Sequence, residues 1–171
     1  NAVYDGTSAI MLSGESAAGK YPVEAVATMA QIAERTEQHT SYRERFYKTE
    51  FKIRNNLDAI SHATCAMAID VDAKGIVVCS VSGKTAGMVS RYRCPTDIVG
   101  MTTDEKVWRR LNLSWGVTPV LADEYSSMDV MFYNGLANAK KYLGLKEGDT
   151  VVLTGGPING KRGNTNTIKV E

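Results

Sequence analysis

Cysteine is scarce in this sequence and poorly spaced for any covalent frame. Cys65, Cys79 and Cys94 are an odd three, far apart, with no CxxC pair. That pattern excludes a disulfide scaffold and points to free thiols in a reducing, cytoplasmic setting. Histidine is rarer still: His39 and His62 are the only two. Neither sits in a paired Cys or His motif of the kind that holds structural zinc, so no metal site is expected. Net charge is nearly absent, with 20 Lys and Arg against 19 Asp and Glu. No global field therefore recruits nucleic acid or an anionic membrane surface, and neither is expected as a partner. Long apolar runs are missing too; none approaches the length of about 20 residues that spans a bilayer. The chain opens on Asn1 with no Met and no charged-then-apolar leader pattern, and it reads as a piece whose upstream part is missing.

What is present is ordinary for a globular protein. Of 171 residues, 43% are hydrophobic and 23% charged, enough for one substantial core and a short appended segment. The first 41 residues read as strand, glycine turn and helix. Ala9 to Leu12 is a short apolar run, residues 13–20 form the turn, and a helix starts near Pro22, tolerated in a first helical turn because its missing N–H is not needed there. Val26, Met29, Ala30 and Ala33 then recur at helical spacing. Residues 42–54 mix aromatics and charges without a clear period and read as a linker packed on a surface.

From residue 55 to 171 the pattern becomes regular. Helices over about 57–70, 85–92, 104–111 and 127–143 alternate with apolar runs at 76–79, 98–99, 117–121 and 151–153. Apolar strands alternating with helices predict a three-layer α/β/α sandwich with a mostly parallel sheet. Residues 167–170 alternate like a half-exposed strand and are expected at the sheet edge, antiparallel, as the fifth strand.

Three loops bear on phosphate chemistry. Gly14 to Lys20 fits GxxxxGK, but Tyr21 stands where a magnesium-binding Ser or Thr belongs, and Pro22 delays the helix. It is not read as a P-loop. The second loop, Ser80-Val81-Ser82-Gly83-Lys84-Thr85, ends like a P-loop but has Val78 at the first-glycine position. Its setting still matters: it joins a strand to a helix, where backbone N–H groups, hydroxyls and a lysine make an anion site. In a parallel sheet, ligands collect at the carboxyl ends of the strands, where this loop lies. A plain strand-to-helix turn with Ser and Gly caps is the alternative, and local chemistry leaves the two open. The third loop runs from Thr154 to Thr167, with Gly156, Gly160 and Gly163 permitting close backbone approach. Lys161 and Arg162 add charge, and Asn159, Asn164 and Thr165 add hydrogen-bonding groups. It reads equally well as a hairpin or as the far wall of one anion pocket.

These pieces resemble the pyruvate kinase family along the whole chain. The opening 26 residues, from Asn1-Ala2-Val3-Tyr4-Asp5-Gly6 to Glu24-Ala25-Val26, are similar to that family's last barrel strand and helix. Ser80 to Thr85 with Val89-Ser90-Arg91-Tyr92-Arg93 looks like its effector-loop strand, turn and helix. Trp115 to Pro119, Gly148 to Gly155 and Thr165 to Thr167 are similar to its final strands.

The resemblance implies a parent enzyme that moves the phosphoryl group of phosphoenolpyruvate to ADP, with magnesium and usually potassium. It places the clamp and metal-binding carboxylates on earlier barrel strands, outside this chain. Ser13 and Lys20 are then expected to border the active cleft, Glu15 to anchor the loop, and the 171-residue chain alone to be inactive. The resemblance further implies a phosphorylated effector held by Ser80, Ser82, Gly83, Lys84 and Thr85, with Asn159, Gly160, Lys161, Gly163 and Asn164 opposite. Members that use fructose bisphosphate add an aromatic and an arginine early in the helix that opens near Tyr125. Here residues 125–131 carry no basic residue, so a second phosphate lacks a cationic partner, and a sugar monophosphate or AMP is the expected effector. The family domain also forms a contact of a homotetramer. Small residues Ala59, Ser61, Ala63, Ala66 and Ala68 permit close helix approach, although packing on the sheet explains them equally well. The competing reading is a stand-alone phosphate-ligand-binding α/β module without activity.

Overall fold

The computed structural model describes residues 1–158 and 164–171. The chain divides into two compact units, Asn1–Ser41 and Tyr42–Glu171.

The first unit contains α1 (Ala2–Asp5), α2 (Gly14–Ala17) and α3 (Pro22–Gln38). Pro22 occupies the first turn of α3, where its ring pre-sets the helical φ at no hydrogen-bond cost. None of the three helices has a buried residue. The apolar run at residues 9–12 forms no strand. A strand is stable only when a neighbour takes its N–H and C=O groups, and no strand pairs with this run among the described residues.

The second unit begins with α4 (Tyr42–Lys48), inside the stretch read from sequence as a linker. Tyr42 and Phe46 lie four apart and so share one face, and Phe46 is buried. Its ring stacks on His62 at 5.1 Å and meets Phe51 at 5.4 Å, while Phe51 meets Tyr92 edge-on at 4.9 Å. Helix α5 (Asn56–Asp70) follows, its N-cap Asn55 accepting the Asp58 N–H through Oδ1 at 2.9 Å.

Strand and helix then alternate as β1 (Gly75–Cys79), α6 (Lys84–Arg91), β2 (Ile98–Thr102), α7 (Glu105–Leu111), β3 (Val117–Leu121), α8 (Met128–Leu143), β4 (Val151–Gly155) and β5 (Thr167–Val170). The sheet order is β3-β2-β1-β4-β5, parallel except for antiparallel β5. Every residue of β1, β2 and β4 is buried, as expected for strands covered on both faces.

The alternation of side chains along each strand divides the core in two. Ile76, Val78, Ile98 and Val152 pack with Cys65, Ile69, Val89 and Leu111 from α5, α6 and α7. Val77, Val99, Met101 and Leu153 pack with Phe132, Leu136 and Ala139 of α8 on the other face. Gly135 lets α8 sit close: a Cβ there would lie 2.9 Å from Val77 Cγ1. The last residue is stitched in as well, because Val151 and Glu171 exchange backbone hydrogen bonds of 2.8 and 3.0 Å. No helix among the described residues is long and apolar enough to cross a membrane.

Candidate functional site

Strands β1 and β4 lie side by side and parallel, with Val78 opposite Thr154, so the segments that leave their carboxyl ends emerge at one rim. From β1 comes the turn 80–85, and from β4 the loop that returns as β5. They meet there: the Thr85 and Thr165 hydroxyls are 2.6 Å apart, across 80 residues of chain. Thr85 is buried in the first turn of α6. The Thr154 hydroxyl holds the base of the loop by donating to Thr167 O at 2.9 Å, and Asn166 N donates to Gly155 O at 3.1 Å. At Gly156 the loop closes so tightly that a Cβ would be 2.3 Å from Asn164 O.

The turn itself is bolted to its other neighbour. Gly83 adopts a left-handed conformation with φ 71°, and a Cβ there would lie 2.7 Å from Val107 Cγ1 of α7. The Thr102 hydroxyl donates to Val81 O at 2.9 Å, and Arg110 Nη2 donates to Ser82 O at 2.9 Å. These contacts follow from the sheet order, because β2 lies next to β1 and delivers α7 beside the turn.

The residues expected at the effector site are therefore split three ways. Thr85 faces the β4–β5 loop. Ser82 and Lys84 line a hollow with Asp104, Lys106, Val107 and Arg110. Ser80 lines a separate cavity of 340 Å³ over the ends of β1, β2 and β3, with Asp123, Glu124 and Tyr125 on its wall. Among the described residues no lysine or arginine lines that cavity. Cys79 at its floor is an inert thiol, pushed up to about 12 by burial. Gly83 supplies the turn, and Asn164 is exposed beside Thr165. Asn159, Gly160, Lys161 and Gly163 lie outside the described residues.

Ser13 and Lys20 belong to the first unit, and both are exposed. The Ser13 N–H donates to Glu15 Oε2 at 3.0 Å, and the Glu15 and Ser13 backbone amides together hold the Glu15 carboxyl below its ordinary value. Glu15 thus braces its own turn.

Lys106 and Arg110 escaped the sequence reading. Their i,i+4 spacing marks one face of α7, but nothing linear tells that this face looks onto residues 82–84.

Two family models match the chain. That of the pyruvate kinase alpha/beta domain covers residues 58–171, including the turn and the loop, and that of the pyruvate kinase barrel domain covers residues 1–26. The chain belongs to the pyruvate kinase family. It is 40% identical over 173 residues to a pyruvate kinase of Clostridium acetobutylicum, an alignment covering 100% of this chain and 36% of that protein. It is 43% identical over 171 residues to one from Geobacillus stearothermophilus, covering 99% of this chain and 29% of the relative. The pyruvate kinase of Lactobacillus delbrueckii subsp. bulgaricus is 42% identical over 176 residues, covering 100% and 30%. The chain thus spans about a third of the length of these pyruvate kinases. The alpha/beta match falls on the five-stranded sheet and the barrel match on the unit that carries α3, so the family and the fold agree.

Proposed function

We propose that this chain is the carboxyl-terminal part of a pyruvate kinase, and that its second unit binds a phosphorylated effector and makes subunit contacts in a homotetramer. The parent reaction is transfer of phosphoryl from phosphoenolpyruvate to ADP. The observation that carries the effector reading is the Thr85–Thr165 hydroxyl contact at the rim where β1 and β4 end. It supports a pocket edged by Thr85 of the turn and Thr165 of the loop, with hydroxyls and amide N–H groups suited to phosphate oxygens.

The ligands of the parent enzyme's magnesium and potassium are placed mostly on barrel strands outside this chain, and no step is routed through either ion. Phosphoryl transfer needs a cationic clamp and metal-holding carboxylates in one cleft. In the first unit Ser13 and Lys20 are exposed, and they supply no such set. A coupled assay with phosphoenolpyruvate and ADP is expected to show no pyruvate from the 171-residue chain.

The effector is a monophosphate, either a sugar phosphate or AMP. Residues 125–131 offer no cation, and the cavity beside the turn is walled by Asp123 and Glu124, which repel a second phosphate there. Calorimetric titration tests this. Glucose 6-phosphate or AMP is expected to bind more tightly than fructose 1,6-bisphosphate, and T165V to weaken the winner about tenfold. Tighter binding of the bisphosphate would end the monophosphate reading. No binding of any phosphate would end the effector reading as a whole.

A further inference from the structure

Two of the three cysteines meet in the core, away from the rim where β1 and β4 end. Cys65 lies on α5 and Cys94 in the link from α6 to β2, and both are buried and free. They pack in one core layer, on the side of the sheet that α5, α6 and α7 cover. Cys79 is separated from them by the sheet. It belongs to the layer under α8, with Met101 Sδ as its sulfur neighbour at 4.0 Å.

The pair is unequal. The Cys65 S–H has two acceptors in reach, Val89 O at 3.6 Å and the Cys94 sulfur. The Cys94 sulfur gathers donors: the Cys65 S–H, the Thr96 hydroxyl and the Thr96 N–H, the last at 3.5 Å. Donors aimed at one sulfur favour its thiolate. Led by the Cys65 bond, they bring the Cys94 thiol down to about 7 against the opposing pull of burial and of Asp97. The same bond, together with burial, pushes Cys65 well above its ordinary value. One sulfur is therefore a nucleophile, and the other keeps its proton until the first has reacted. Cys94 also lies just under the surface, because Pro95 and Asp97 beside it in the link are exposed.

We propose that Cys65 and Cys94 form a site of reversible oxidative modification, where a hydroperoxide closes an intramolecular disulfide between α5 and the link that enters β2. The Cys94 thiolate attacks one oxygen of hydrogen peroxide, the O–O bond breaks, and the other oxygen leaves as water with a proton from solvent. Cys94 is then a sulfenic acid. The Cys65 sulfur displaces that hydroxyl, which departs with the Cys65 proton as a second water, and the S–S bond forms. Two electrons pass from the two thiols to the peroxide, and a dithiol reductant returns them. In a reducing setting such a bond is transient, in keeping with cysteines that otherwise stay free. Val89 O loses the Cys65 donor on oxidation but keeps the Tyr92 N–H at 3.1 Å, so the end of α6 holds. The bond ties the two ends of a segment that contains β1 and α6.

The test treats the folded 171-residue chain with hydrogen peroxide, removes the excess with catalase, and alkylates the product with iodoacetamide in urea. Intact mass is expected to show one alkylated thiol in place of the three free cysteines of the untreated chain. Peptide mapping is expected to find a Cys65–Cys94 link that dithiothreitol removes. C79A is expected to lose both of its remaining thiols in the same way. In C65A, Cys94 has no resolving partner and is expected to gain about 16 Da per added oxygen. The proposal is overturned if all three thiols still alkylate after peroxide. A link to Cys79, or one between two chains, overturns it equally. So does a link that forms only when peroxide meets the chain in urea. C65A opens a space in the core and carries a folding risk; the wild-type peptide map decides without it. Phosphate binding plays no part in these readouts, so the effector reading stands or falls separately.

Discussion

Gly83 shows how much one residue decides. Its φ of 71° lies where a side chain is strained, and the space a Cβ needs is occupied by Val107. G83A is therefore expected to cost about 1–3 kcal/mol in urea unfolding, from left-handed strain and overpacking together. G87A is the control, since a Cβ at Gly87 meets nothing within 4 Å, and its helix position favours alanine. Equal effects of the two would mean that the turn is not pressed onto α7. At this scale the sequence was only half legible. Ser80 to Thr85 stood out as a strand-to-helix turn because hydroxyls, glycine and lysine cluster there. Which side chain faces which neighbour was not readable. Thr85 turns to a loop 80 residues away, and Lys84 turns to α7, because strand order, not chain order, chooses the neighbours.

At the scale of elements, the α/β alternation was plain wherever a segment has a period of its own. Continuous apolar runs became the buried strands β1 and β4, and the even-odd split of their side chains produced the two core layers. Two segments resisted. The run at residues 9–12 has strand composition but forms no strand, since pairing depends on neighbours and not on composition alone. Helix α4 was hidden because its apolar face is only Tyr42 and Phe46, diluted by charges that pair on the other side, as Lys48 does with Glu44. The interior strands carry the stability. L153A, removing a fully buried side chain that packs against α8, is expected to lower the unfolding free energy by about 2–5 kcal/mol. V170A on the exposed edge strand is expected to cost well under half of that. Comparable losses in chemical denaturation would contradict a core built on the interior strands.

At the scale of the whole molecule, four of the small residues of α5 separate into two sets, with Ala66 half-buried between them. Ser61 and Ala68 are buried in the unit, so packing within the chain accounts for them. Ala59 and Ala63, four apart, are exposed on one face. That face supports a close two-fold helix contact in the homo-oligomer proposed above. Analytical ultracentrifugation at tens of micromolar is expected to find a dimer or larger species, and A63E to convert it to monomer. A wild-type chain that sediments only as a monomer would remove α5 from the subunit contact.

The pairing of β1 with β4 makes the rim a product of tertiary structure alone: Thr85 and Thr165, 80 residues apart, meet only because two strands lie side by side. A protease cut between α8 and β4 would part the two hydroxyls while leaving the turn that carries Thr85 covalently whole.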